Sequence, residues 1–127
     1  MAWLVRDGEV LASLQVAESL RARTRGLLGR DGLKGAILLR PARSVHTVAM
    51  RFPIDVAFCD EDLAVLRIVT IRPNRVTRVV WKARCVIEAE AGAFDDWSLA
   101  VGDQLAVRGD PATAGDGGEP PEPDRPT

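Results

Sequence analysis

Apolar and polar positions alternate along much of this chain, and turn residues punctuate the alternation. Trp3-Leu4-Val5 and Val10–Val16 flank Arg6-Asp7-Gly8-Glu9. Asp-Gly between two apolar runs predicts an antiparallel hairpin. Over 19–28 the period changes. At 100° per residue Leu20, Thr24, Leu27 and Leu28 fall in one arc, which predicts a surface helix capped by Ser19 and closed by Gly29. Gly26 inside it points to close backbone packing or an early end.

Strand patterns then return. Ala36–Leu39 is a short apolar run ahead of Arg40-Pro41, as in a buried strand. Pro53 forces Phe52 toward an extended conformation and leads into a strand over 54–60. On it Ile54, Val56 and Phe58 share one face, and Asp55, Ala57 and Cys59 the other. A turn at Asp60-Glu61-Asp62 leads to its expected hairpin partner, 64–71. Val76–Trp81 is a looser extended run. Cys85, Ile87 and Ala89 then alternate with Val86, Glu88 and Glu90. A helical turn over 94–99 would group Phe94, Trp97 and Val101, and Gln104–Arg108 closes the pattern.

Tight turns without regular βαβ alternation predict a mainly β (α+β) fold. The expected form is a compact antiparallel sheet or barrel of seven or eight short strands. One helix packs on it (about 19–28), with a short second one near 94–99. The expected domain is 1–109. Residues 110–127 carry five acids, several prolines and no large apolar residue. Such a segment cannot offset its ordering entropy, so an acidic disordered tail is expected.

Composition narrows the function classes. Residues 1–109 hold 16 basic and 13 acidic side chains, too mild an excess for a nucleic-acid footprint. Fifteen of the 17 basic residues are arginine, which suits bidentate contacts to carboxylate or phosphate and also follows from a genome rich in G and C. The start lacks the pattern of a signal peptide, and no stretch approaches a membrane span. A cytoplasmic, monomeric protein is the default expectation, with no membrane partner and with Cys59 and Cys85 as reduced thiols.

The only histidine, His46, lies in the stretch 45–60 with Met50, Asp55 and Cys59. That stretch is where a site is expected. His46 either bonds backbone in a turn, contacts a ligand or acts as acid or base. Asp55 on a partly buried face needs hydrogen bonds or a cation, with Glu88, Arg23 and Arg25 as further charged candidates. Ser44, Thr47 and Cys59 are conceivable nucleophiles, but none sits in a nucleophile elbow. One histidine and scattered carboxylates make no transition-metal site, and no phosphate loop or dinucleotide fingerprint occurs, so no metal and no cofactor is expected.

Several motifs in order resemble a family. They are Arg23-Thr24-Arg25-Gly26-Leu27-Leu28-Gly29-Arg30, His46-Thr47, Pro53-Ile54-Asp55, Glu88-Ala89-Glu90-Ala91-Gly92 and Gly102-Asp103. Together, over about 10–108, the chain resembles the uncharacterised bacterial and archaeal domain of unknown function 192. Leu28 stands where methionine is usual, and His46-Thr47 where many members have Trp-Met. A histidine mechanism could therefore not be shared across the family. The resemblance implies a compact β-rich domain with one helix and no assigned activity.

The favoured expectation is a small-ligand or peptide binding module with a site at His46, Thr47, Met50 and Asp55, aided by Arg23, Arg25 and Glu88. The alternative is a structural or protein-interaction domain presenting Trp3, Trp81 or Trp97. Less favoured is a small enzyme using His46 with Asp55 or Glu88.

Overall fold

A computed structural model of the chain describes residues 2–18 and 32–109. The expected helix at 19–28 and the acidic tail both lie outside the described residues. Seven strands form one sheet: β1 (Ala2–Arg6), β2 (Glu9–Ala17), β3 (Ala36–Leu39), β4 (Ile54–Cys59), β5 (Val65–Ile71), β6 (Cys85–Glu90) and β7 (Ala106–Gly109). One short helix, α1 (Ala93–Asp96), stands between β6 and β7. The strand order is β5-β4-β6-β3-β2-β1-β7.

The first hairpin forms as the Asp-Gly signal predicts. Arg6 pairs with Glu9, so Asp7 and Gly8 make the whole turn, with φ of 51° and 80°. Positive φ at both positions is the signature of a type I′ turn, whose twist matches the strands. β4 and β5 form the second expected hairpin. Asp60 organises its turn by accepting hydrogen bonds from Asp62 N and Ala64 N, each 2.9 Å, on Oδ1.

The sheet is not purely antiparallel, because β2 and β3 run parallel. A parallel pair needs a crossover of a dozen or more residues, and 18–35 separates these two strands. At its end Gly35 has φ of 73°, and a Cβ there would lie 2.3 Å from Ser13 Oγ. Close approach of two backbones and a left-handed conformation both demand glycine.

Nor is the sheet a closed barrel. The edge strands β5 and β7 are stitched only near one end, where Val65 N donates to Asp103 O (2.9 Å), Gly102 N to Val65 O (2.8 Å) and Leu105 N to Leu63 O (3.1 Å). Arg6 reinforces this seam through Trp97 O at 2.6 Å, Ser98 O at 3.2 Å and Asp103 Oδ2 at 3.0 Å. The sheet therefore curls toward the face carrying Leu4, Leu14, Leu38, Ala57, Ile87 and Leu105, all buried in one apolar cluster. Phe94 joins that cluster and stacks on Trp97 at 5.3 Å between centroids. Val101, expected beside them, is instead 63% exposed, because the chain turns at Gly102 toward the seam.

The opposite face is equally apolar. Ile37, Leu39, Ile54, Val56, Phe58 and Val86 belong to a second cluster, covered by Val45, Met50 and Phe52 from the loop after β3 and by Ala83. Every residue of β4 is therefore buried. The face of β4 expected to be core is core, and so is its other face.

Asp103 Oδ2 also accepts from Ala100 N, and that bond together with Arg6 holds its carboxyl below the ordinary 3.8. A carboxylate with a depressed folded pKa stabilises fully above its unfolded value, and that contribution is lost as pH falls through the folded one. Acid unfolding curves should therefore show stability declining below the usual carboxylate range. Asp103→Asn should flatten this decline, and an unchanged acid limb would exclude the seam as its source.

Candidate functional site

Two irregular segments cover the second face, and Thr47 joins them. Its side chain is completely buried. Its hydroxyl donates to Arg72 O at 2.6 Å and accepts from Arg75 N at 3.0 Å. Its backbone N–H donates to Arg75 O, and its carbonyl accepts from Asn74 N, each at 2.8 Å. Thr77 N donates to Val45 O, and Val45 N to Thr77 Oγ1, both at 2.9 Å. Asn74 Oδ1 accepts from Ala49 N at 2.8 Å, holding Ala49 at φ 64°. The run 76–81 is thus an arm clasped to the 43–50 loop, with only the His46–Val76 bridge of strand character.

His46 is half-buried, and Nδ1 accepts from Val48 N at 3.3 Å. The proton of the neutral ring then sits on Nε2. With Ser44, Val45, Val48 and Val76 it lines an open, mostly apolar concavity. Met50 is buried in the second cluster as a packing residue.

Asp55 lies on the other side of the sheet. Its Oδ1 accepts from Thr70 Oγ1 at 2.7 Å, and its Oδ2 accepts from Gly92 N at 2.9 Å and Phe94 N at 3.1 Å. The carboxylate thus fastens the turn that starts α1, where Gly92 adopts φ of 98°. Glu88 is fully buried and pairs in register with Val56, so it faces the second cluster while Asp55, opposite Ala89, faces the first. No buried side-chain nitrogen or oxygen among the described residues lacks a hydrogen-bond partner. The structure brings His46, Thr47 and Met50 together on one loop. The sheet stands between them and Asp55. Arg23 and Arg25 lie outside the described residues.

A second concavity adjoins the first through Val76 and was not among the sequence candidates. Phe58, Val69, Ile71, Val76 and Val80 form its apolar wall, Arg67 and Arg78 stand at its rim, and its volume is about 220 Å³. Both arginines are exposed, and no acidic residue lines the cavity. A signal was present in the chain: residues 72–84 carry Arg72, Arg75, Arg78, Lys82 and Arg84 without one acid. Arginine alternating with valine over an apolar strand face marks a basic-rimmed groove.

The two cysteines meet. Cys59 ends β4 and Cys85 opens β6, directly opposite in the antiparallel register. Both are buried in the first cluster as free thiols. The Cys59 S–H donates to Ala57 O at 3.8 Å and the Cys85 S–H to Asp60 O at 3.4 Å; the neighbouring Cys59 thiol lowers Cys85 from its ordinary value, and Cys85 together with burial raises Cys59. Among the described residues no three His, Cys, Asp or Glu side chains group to hold a metal ion, and no helix is long and apolar enough to cross a membrane.

These features define a curled, open, mixed β-sheet protein with both faces of its central strands covered. The profile of domain of unknown function 192, an uncharacterized ACR family, matches residues 2–107, and the chain belongs to that family. Two crystal structures share the fold. One is a protein of unknown function from Novosphingobium aromaticivorans, at TM-score 0.66 and 15% identity, covering 83% of this chain and 82% of that one. The other is a "putative transcription regulator" from Sinorhizobium meliloti, at TM-score 0.66 and 19% identity, covering 84% and 91%. No curated protein matches.

Asp55→Ala should lower unfolding free energy by about 1.5–3 kcal/mol, the range for hydrogen bonds to a charged group. Asp55→Asn should lose less, since one amide oxygen can still accept from Gly92 and Phe94. Urea denaturation of the three proteins checks the order. Equal stability of Asp55→Ala and the parent would contradict the fastening role.

Proposed function

We propose that the chain is a small-ligand binding module whose site is the groove between β5 and the 76–80 arm, continuous with the His46 concavity. One observation carries this reading: an apolar cavity of about 220 Å³ with two guanidinium groups at its mouth. Concave, mostly apolar sites with a few placed polar groups are what small ligands use. Neither Arg67 nor Arg78 forms an ion pair with another described residue. Arginine at the rim favours a carboxylate or phosphate, and Phe58 with Val69, Ile71 and Val80 favours a ring or short alkyl chain. The ligand class is therefore a small amphiphilic anion. His46 and Val48 extend the apolar wall on the far side of Val76.

Calorimetry with octanoate and benzoate, each beside its neutral amide, tests this. A carboxylate should bind, its amide more weakly, and added salt should weaken the carboxylate. Arg67→Gln and Arg78→Gln should each weaken it by a factor of about 3 to 10, between the strengths of exposed and charge-assisted pairs. No heat from any probe on folded protein would overturn the reading. It would instead favour a protein partner seated over Trp81, which is 74% exposed beside Val79 at 44%.

A further inference from the structure

Cys59 and Cys85 are far apart in the sequence, yet the strand order puts them face to face. Directly opposed residues of an antiparallel pair have Cα atoms about 4.5 to 5.5 Å apart, inside the range a disulfide spans. Their sulfurs occupy one cluster, and Cys85 Sγ lies 3.4 Å from Asp60 O, at the turn that leaves β4. The ladder is irregular at this point. Arg84 N donates to Cys59 O, and on the other side of β4 the β5 register shifts between Phe58 and Cys59. The end of a strand pair can close the remaining gap between two Cβ atoms more easily than a mid-strand position.

We propose that Cys59 and Cys85 form a dithiol modification site, at which a hydroperoxide converts the two thiols to an intrachain disulfide tying the end of β4 to the start of β6. In the first step the Cys85 sulfur, as thiolate, attacks one peroxide oxygen. The S–O bond forms, the O–O bond breaks, and the departing oxygen leaves as water, or as alcohol from an organic peroxide, taking up the thiol proton. Cys85 is then a sulfenic acid. In the second step the Cys59 sulfur attacks the Cys85 sulfur. The S–S bond forms, the S–O bond breaks, and hydroxide leaves with the Cys59 proton as water. Two thiols have lost two electrons and two protons, and one peroxide has been reduced.

Cys85 is the attacking group: it opens β6 beside the Asp60 turn, and the neighbouring Cys59 thiol lowers its pKa from the ordinary value. Cys59, whose own proton is held more tightly, is the resolving group. The Asp60 turn beside Cys85, half-buried at Asp60 and exposed at Glu61 and Asp62, is the side of the pair nearest solvent. This site is separate from the groove at Arg67 and Arg78, and neither proposal depends on the other.

The full chain, fully reduced, is treated with hydrogen peroxide under native conditions, then unfolded and alkylated. The expected product has lost about 2 Da, has no alkylatable thiol, and yields one peptide pair joining Cys59 to Cys85 that dithiothreitol separates. In Cys59→Ser the resolving sulfur is gone, so Cys85 should gain oxygen instead. In Cys85→Ser, Cys59 should stay reduced. Retention of both thiols in the wild-type protein, or disulfides only between chains, would overturn the proposal, and that readout needs no variant to fold. If Cys59 is the sulfur oxidised in Cys85→Ser, the assignment of the attacking group fails.

Discussion

The structure depends on one constraint: β4 is buried on both faces. Every residue from Ile54 to Cys59 is out of water, and β6 is buried through Ala89. A strand of an antiparallel sheet can leave one side wet, but this pair cannot. The sheet's own curl covers the first face, and the seam between Leu63–Val65 and Gly102–Leu105 holds that curl shut. Among the described residues no second sheet covers the other face. It falls to irregular segments, which must satisfy their own backbone groups without a ladder. Thr47, with one hydroxyl and two backbone groups bonded to the 72–75 turn, meets that demand.

The proposed binding groove follows from how this cover is made. Here a loop and an arm do the covering, and along β5 they leave a cavity of about 220 Å³ lined by Phe58, Val69 and Ile71. The arm brings arginine with it, so the gap has an apolar wall and a cationic rim. The same constraint explains why Asp55 is bonded so fully. A carboxylate on the closed face must be matched by donors, and Thr70 with the start of α1 supplies three.

Much of the fold was legible from local pattern. The Asp7-Gly8 turn, the 54–60 and 64–71 pair and the parity of β4 all depend on neighbours in sequence, where period and turn chemistry decide. The need of Asp55 for hydrogen bonds was also legible from its place between Ile54 and Val56, though its partners were not. What escaped depends on strand order. Only the placement of β6 beside β4 makes Cys59 face Cys85, and only parity across that pair puts Asp55 and Glu88 on opposite faces. The parallel pairing of β2 with β3 has no local signature either. The Thr47 clasp and the groove beside it arise from aperiodic segments. There the one available signal was the acid-free, arginine-spaced run from Arg72 to Arg84.

The most direct test of the groove as a binding site is a methyl-resolved NMR titration of the full chain with octanoate. Shifts should concentrate at Val69, Ile71, Val76 and Val80, while Leu11, Leu33 and the indole of Trp97, which line a different concavity, stay still. Shifts confined to Leu11, Leu33 and Trp97, or spread evenly over the surface, would contradict it.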